Sequence, residues 1–413
     1  MKIIHISNSN HGGGAGRAVS RLHRSLKSIG YNSKIWVNVK VGDDVDVITR
    51  TKKIYKIISI IKIIFSKFIF SFLKTSNKQL HSPQIFPSDW IELINKSDAD
   101  IVHLHAFNHE MLSISDISKI KKPIVWTLHD MWAFCGAEHI SYDLRWKQGY
   151  NKKNRPEGES GFDLNKWTWG RKKKYWKKPI QLIAPSKWMM DNVKESKLMK
   201  NWPVHVIFNP IDLRVWKPMD KELARDAFNL PQDVPLIMFG AFAGTSEYHK
   251  GYDLLEKAIN HISNNDKLKN SFLVVFGQSE PINPPQLGIP VIYLGRINDD
   301  ISLRIAYSAS DLLVVPSRID NAPLTATEAQ ACGTPVVAFN SSGLKTMVIH
   351  KKTGYLAKKF DIRDLANGIL WVIGKKDNQL KINARKSAIE RFSYSKIANQ
   401  HINIYNKLLN NNF

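Results

Sequence analysis

Asp320 and Glu328 stand eight positions apart in RIDNAPLTATEAQACGTPVVAF (318–339), around a predicted helix start. Two such carboxylates can be an acid–base pair, a clamp on a hydroxyl-bearing ligand, or a capping acid and a surface Glu. Pro323 suits the first turn of a helix, with Asn321 or Ala322 before it, and Gly333 and Pro335 suit its end. Asp320 then lies in the preceding loop and Glu328 about two turns inside. Carboxylates so spaced do not share a helix face as i, i+4 residues would; they straddle a helix N-terminus whose free N–H groups can meet a ligand. This geometry favours gripping hydroxyls at two ends of an extended molecule.

Three other stretches carry chemistry-bearing residues. Gly12, Gly13, Gly14 and Gly16 lie between the first predicted strand and a predicted helix, where small residues let backbone N–H groups approach an anion. The run lacks the G-x-G-x-x-G spacing of a dinucleotide loop, and KIWVN (34–38) ends in Asn38 rather than an acid, which disfavours a nicotinamide cofactor. A phosphate or substrate loop and a tight packing turn both remain. His129 and Asp130 in TLHDMWAFCG fall at the carboxyl end of a strand, as a substrate contact or a structural pair. Lys250, before Gly251 and a helical stretch, can neutralise a diphosphate as a point charge or simply be an exposed loop lysine.

The elements that must position these residues repeat a pattern of short Ile/Val-rich runs alternating with helical periods. Predicted strands in the first half are 2–7, 34–38, 100–106, 123–130 and 181–186; those in the second are 235–241, 272–277, 290–295, 311–317 and 335–339. Two doubly wound domains follow, joined near VHVIFNPIDLRVWKP (204–218), with the boundary at about residue 210. If their strand ends face each other they enclose one cleft.

Sixty Lys and Arg against 36 Asp and Glu give a formal charge of +24, suited to a polyanionic partner, an anionic membrane surface or a phosphorylated substrate. No helix-turn-helix, zinc or RNP pattern accompanies the charge, so nucleic acid is not the expected partner. Cys135 and Cys332 are too few for a disulfide framework or structural zinc site and fit a reducing compartment. The N-terminal MKIIHIS is too short an apolar run for a signal peptide.

Two insertions interrupt the first domain. In residues 51–74, Lys56, Lys62 and Lys67 break an Ile- and Phe-rich run, which argues against a transmembrane helix. At helical spacing, lysines and serines gather on one side, with Lys62 the outlier, and Ile and Phe on the other, as in a helix lying in a membrane interface. A core helix with a solvated face is the alternative. From Trp132 to Lys178 the chain is basic and Trp-rich, fitting a lipid-phosphate patch or a solvated face with aromatic anchors.

With these pieces in order, the chain resembles the retaining glycosyltransferases of family 4. DNAPLTATEAQACGTPVV (320–337) is similar to their E-x7-E signature and its A-C-G-T-P-V-V tail, with Asp at the first acidic position. The likeness extends through the Gly-rich loop, TLHDMW, APSKWM, VIFNPID, KGYDLLEKAI, ASDLLVVPS and TGYLA. It implies the GT-B fold: a Rossmann-like acceptor-binding domain over 1–210 with a membrane-associating insertion at about 51–75, a nucleotide-sugar donor domain over 211–390, and a C-terminal helix over 391–413 packing back on the first domain. It further implies that Glu328 meets the donor ribose, Asp320 the transferred sugar, Lys250 the diphosphate, and His129 the sugar and acceptor. Gly13, Gly14, Asn321, Ala322, Leu324 and Thr325 complete the expected donor site, although Pro323 cannot donate an N–H. The arginine usual before such a lysine is absent from GAFAGTSEYHK, leaving Lys250 and the Gly12–Gly14 loop to the phosphates. No metal or other cofactor is expected. The closest likeness is to enzymes of bacterial O-antigen, capsule and colanic-acid assembly, implying a lipid-linked saccharide acceptor at the inner face of the bacterial cytoplasmic membrane and a peripheral, cytoplasmic enzyme. A catalytically idle sugar-binding scaffold is the rival reading.

Overall fold

The structure is a computed structural model and describes residues 1–240, 245–375 and 377–410. The last residue of the expected strand 235–241, residues 242–244 of the lysine-bearing stretch and the last three positions of the expected C-terminal segment lie outside the described residues. The chain divides into two units, Met1–Phe208 with Ile397–Phe413, and Asn209–Lys396.

Unit 1 contains β1 (Lys2–Ser9), β2 (Asn32–Val39), β3 (Val47–Thr49), β4 (Leu73–Lys74), β5 (Ile101–Leu104), β6 (Ile124–Thr127), β7 (Ser160–Gly161), β8 (Gln181–Ala184) and β9 (Val204–Val206). Seven of these form a sheet in the order β3-β2-β1-β5-β6-β8-β9, every neighbour parallel, while β4 and β7 make a small antiparallel ribbon. Short runs such as IVHL in β5 are buried throughout because helices cover both faces of a parallel sheet. The helix Gly13–Ser28 shows how: Ala18, Leu22 and Leu26 recur every fourth residue and are buried, while Arg24 and Lys27 point to solvent. The last helix, Tyr394–Asn410, sets Ile397, Ile402 and Tyr405 in one core with Ile3, Leu22 and Ile101.

Unit 2 contains β10 (Leu236–Gly240), β11 (Phe272–Phe276), β12 (Val291–Tyr293), β13 (Leu312–Val315), β14 (Val336–Phe339) and β15 (Gly354–Ala357). They form one parallel sheet in the order β12-β11-β10-β13-β14-β15. Both sheets are thus doubly wound, and each reverses direction beside its first strand: between β1 and β5, and between β10 and β13. Ligands of such sheets bind beyond the strand carboxyl ends at that reversal.

The insertions resolve differently. Lys53–Ser71 is a helix with no buried residue, and Tyr55, Ser59, Lys62, Ile63, Ser66, Ile69 and Phe70 are its partly covered positions. These follow the helical period, so this face rests on the protein, and Lys62 donates to the Pro87 carbonyl at 2.6 Å. The sequence expectation placed Ser59 and Ser66 on the solvated side with the lysines; the structure turns them inward. The opposite stripe, including Ile54, Ile57, Ile61, Ile64 and Phe68, is exposed. Among the described residues no helix is long and apolar enough to cross a membrane. In the second insertion Trp132, Trp146, Trp169 and Trp176 are buried in the core, so these aromatics are not surface anchors. Lys172 is buried with them, its ammonium over the Trp132 ring and donating to the carbonyls of Trp132, Cys135 and Gly136.

Unit 1 also buries several neutral histidines. Burial lowers His23, His81 and His401 to about 4 from an ordinary value near 6.5. An unfolded chain therefore binds protons that the folded chain excludes, so this stability contribution is present above pH 6.5 and is lost as pH falls toward 4. Urea unfolding at pH 7.5, 6 and 5 is expected to show the midpoint falling, each histidine adding a slope of up to about 1.4 kcal/mol per pH unit. A midpoint unchanged from pH 7.5 to 5 would contradict it.

Candidate active site

In unit 2 the two loops at the sheet reversal carry Lys250 and Asp320. Gly251 adopts φ +72° after the short turn Tyr248–Lys250, and a Cβ there would collide with the Pro316 carbonyl just beyond β13. The Arg318 N–H donates to the His249 carbonyl at 2.8 Å, stitching one loop to the other. The Lys250 Nζ therefore meets the Asp320 Oδ2 at 2.6 Å. Asp320 is pinned in turn: its N–H donates to the Ser342 hydroxyl at 3.1 Å, and its carbonyl accepts from Gly343 N–H at 2.8 Å. Any side chain at position 343 would overlap the Asn321 carbonyl, which is why glycine stands there.

The helix after this loop is Leu324–Ala331, with Pro323 as N-cap rather than as its first residue. No side chain caps this end. The N–H groups of Leu324 and Thr325 open the first turn, which in every α-helix lacks intrahelical acceptors. Asn321 is buried and Ala322 partly so. Glu328 is the fifth helical residue, nearer the N-terminus than the two turns expected, and is buried, with the Tyr307 hydroxyl donating to its Oε2 at 3.1 Å. Asp320, Lys250, the helix start and Glu328 thus belong to one region, whereas His129, Gly13 and Gly14 belong to unit 1.

Sequence reasoning missed Tyr307 and Arg318. The guanidinium of Arg318 grips both Asp253 oxygens at 2.8 and 2.6 Å and lies over the Tyr248 ring. Its charge braces the loop, so it does not replace the arginine missing beside Lys250. A positive charge two residues before Asp320 was the available signal.

In unit 1 Gly12 (φ +80°) caps the helix that begins at Gly13 (φ +72°), and a Cβ at positions 12, 13 or 14 would meet nothing. These three leave open space over a helix start, while Gly16 is required for packing, since a Cβ there would lie 2.7 Å from the His11 carbonyl. The Asn10 side chain holds the loop with bonds of 2.8 and 2.9 Å to the Val41 backbone.

His129 follows β6 and is half-buried, and burial lowers it to about 4. Asp130 is engaged elsewhere: its Oδ2 meets His139 Nδ1 at 2.7 Å and its Oδ1 accepts from the Trp132 N–H at 2.9 Å. Burial alone would raise Asp130, but the charge and hydrogen bond of His139 hold it below the usual carboxylate range. Asp130 is thus tied into the fold, with His139 as its unforeseen partner. His5, His103 and His105 cluster closely enough to hold a metal ion. Their nitrogens, however, are largely committed: His103 lies 2.6 Å from the Tyr405 hydroxyl and 2.8 Å from that of Thr127, and His105 sits between His5 and His129. Cys135 is buried, and burial pushes its thiol up.

This arrangement offers one cation, one carboxylate and a helix start to a polar anionic ligand, with a second carboxylate behind them. The family model described as Glycosyltransferase Family 4 matches residues 12–215, and that described as Glycosyl transferases group 1 matches residues 220–388. D-inositol 3-phosphate glycosyltransferase 1 of Catenulispora acidiphila is 32% identical over 220 residues, covering 49% of this chain and 51% of the relative. The corresponding protein of Streptosporangium roseum is 33% identical over 177 residues, 40% of each chain. The chain thus spans about half the length of the curated relatives it matches. Among solved structures, sucrose-phosphate synthase from Thermosynechococcus elongatus is similar over 99% of both chains, with a TM-score of 0.69 at 20% identity. WaaG, a glycosyltransferase involved in lipopolysaccharide biosynthesis, is similar over 98% of this chain and 99% of its own, with a TM-score of 0.64 at 16% identity. Anabaena HepE in complex with UDP-glucose gives 0.63 at 15% identity, over 98% of this chain and all of its own. At such identities these three speak for the fold. By model match and by architecture, the chain belongs with the GT-B glycosyltransferases of groups 1 and 4.

Proposed function

We propose that this chain transfers a sugar from a nucleotide-diphosphate sugar to a lipid-linked saccharide, with retention of anomeric configuration, in the assembly of a bacterial surface polysaccharide such as O-antigen, capsule or exopolysaccharide. The observation that carries the donor half is the Lys250–Asp320 pair at the reversal of the unit 2 sheet. On this reading a diphosphate takes over Lys250, releasing Asp320 to a hydroxyl of the transferred sugar. Leu324 and Thr325 N–H groups, Asn321 and Ala322 line the donor, and Glu328 accepts from the ribose hydroxyls. The lysine and the helix start stabilise the leaving diphosphate, whose negative charge grows as the glycosidic bond breaks, and no step requires a metal. His129 and the Gly13–Gly14 loop serve the sugar and acceptor from unit 1. The solved relative that carries UDP-glucose supports a nucleotide-sugar donor.

The curated relatives' names favour a different acceptor, an inositol phosphate. The helix Lys53–Ser71 favours the lipid-linked one. Its exposed Ile and Phe stripe runs beside Lys53, Lys56 and Lys67, a combination that inserts into an anionic membrane surface without crossing it. Such binding would hold the chain at the inner face of the cytoplasmic membrane, where lipid-linked sugars lie.

Incubation with bacterial membranes and a panel of UDP-, GDP-, ADP- and TDP-sugars is expected to give sugar transfer by the wild type. Glu328→Gln should fold normally and lose roughly ten- to a hundredfold in rate, since hydrogen bonds to a charged group are worth about 1.5–3 kcal/mol. Equal transfer by both proteins contradicts the site; transfer to inositol phosphate alone contradicts the lipid-linked acceptor. Replacing Ile57, Ile61, Ile64 and Phe68 by serine should cut co-sedimentation with phosphatidylglycerol vesicles at least about tenfold, because each inserted side chain contributes on the order of 1.5 kcal/mol. Donor binding should be unchanged. Sedimentation equal to wild type would remove the membrane role.

A further inference from the structure

The exposed stripe of the helix Lys53–Ser71 does not end with the helix. Phe68 packs edge-on against Phe72 just past the helix end, with ring centroids 5.0 Å apart. Leu73 of β4 then turns inward to Ala137 and Leu164, so its alternate neighbours Phe72 and Lys74 face out. β4 pairs antiparallel with β7, Leu73 opposite Gly161 and Lys74 opposite Ser160, and the Phe162 N–H donates to the Phe72 carbonyl at 2.9 Å. That register sets Phe162 beside Phe72. Gly161 permits the approach, since it adopts φ +73° and a Cβ there would collide with the Phe72 carbonyl. Phe162 in turn meets Trp167, on the helix Leu164–Tyr175, with ring centroids 5.9 Å apart. Arg171 lies over the Trp167 ring at 4.7 Å and donates to the Pro83 and Gln84 carbonyls, which braces that ring.

Phe68, Phe72, Phe162 and Trp167 are all exposed, so separate elements carry one continuous aromatic ridge. A contiguous run of exposed aromatics marks an interaction surface, and charge says of which kind. No Asp or Glu occurs in residues 47–88 or 164–190, the stretches that carry the insertion helix, β4 and Trp167, while Lys67, Lys74, Lys173 and Lys174 are exposed there. At the ribbon itself Asp163 grips Arg145 at 2.6 Å and Glu159 accepts from Thr75 at 2.9 Å, leaving Glu157 exposed. Aromatic rings flanked by lysines suit the headgroup layer of an anionic bilayer. We infer that unit 1 meets an anionic lipid surface through two contacts: the Ile and Phe stripe of the insertion helix, and a separate aromatic ridge, Phe72–Phe162–Trp167, at headgroup depth. A helix alone can roll about its axis on a membrane. A second contact carried by other elements stops the roll and fixes how unit 1 faces the surface. This rests on the membrane reading of the helix and not on the chemistry of sugar transfer.

Cys135 and Cys332 are buried, so a cysteine introduced on the ridge takes a thiol label. The test is the emission of an environment-sensitive fluorophore on Phe162→Cys in the full chain. It should shift to the blue on phosphatidylglycerol vesicles and stay unchanged on phosphatidylcholine vesicles. The same label on Val45→Cys, exposed in a loop with Asp43, Asp44 and Asp46, should stay unchanged on both. Phe162→Ser combined with Trp167→Ser should cut co-sedimentation with phosphatidylglycerol vesicles about tenfold, as two apolar side chains leave the interface. An unshifted label at position 162 on vesicles that sediment the chain overturns the ridge and leaves the helix contact standing. Wild type that does not sediment with these vesicles overturns both. A shift that grows with protein concentration in the absence of vesicles assigns the ridge to a second copy of this chain and also overturns the inference. Ridge contact in a protein that transfers no sugar would keep this inference and sink the transferase reading.

Discussion

An ammonium and a carboxylate 2.6 Å apart, on loops that follow two neighbouring parallel strands, set the terms for the rest of unit 2. Lys250 and Asp320 are seventy positions apart in sequence, and only the sheet reversal between β10 and β13 brings their loops side by side. Everything around the pair serves its geometry: Gly251 bends where a side chain would strike Pro316, Gly343 leaves room for Asn321, and Arg318 locks the turn from behind through Asp253. Both partners keep some exposure, 29% and 13% of their side chains, so the pair is accessible to a competing anion. A partly exposed ion pair adds little net stability. Its value on the proposed reading is that one partner can be exchanged for a diphosphate at small cost.

The parallel sheets were legible because fully buried strands read as continuous Ile and Val runs bounded by polar loops, as in DLLVVPS and FLVVFG. The helix around Glu328 was legible in kind and wrong in detail. Proline fits both the cap and the first helical residue, and taking the wrong one, with a generous count of turns, placed Glu328 too deep. The facing of the insertion helix differed in part: its exposed Ile and Phe stripe follows the expected apolar side and Lys53, Lys56 and Lys67 stay exposed, but Ser59 and Ser66 turn inward, where a serine hydroxyl is easily satisfied.

The histidine cluster was missed although its signal was present. HLH at the end of β5, with His105 just beyond the strand, places two imidazoles on one face by strand period, and the histidine in KIIHIS is their neighbour once β1 and β5 pair. What the sequence does not contain is the pairing itself, since β1 and β5 are separated by nearly one hundred residues, including the insertion helix. Arg318 and Tyr307 were hidden likewise, because their roles depend on Asp253 and Glu328 across folded distances. The Trp-rich insertion misled by composition: its aromatics fill the core and one of its lysines is buried against backbone carbonyls.

The central claim is that Lys250 holds a diphosphate and Asp320 the sugar attached to it. Titration calorimetry with the preferred nucleotide sugar, and with the same nucleotide diphosphate lacking the sugar, separates the two roles. Lys250→Ala should weaken both ligands by about tenfold or more, in line with about 1.5–3 kcal/mol for a charge-assisted hydrogen bond. Asp320→Asn should weaken the nucleotide sugar while leaving the bare diphosphate bound as tightly as before, or more tightly. Lys250→Ala binding both ligands as tightly as the wild type would contradict the account.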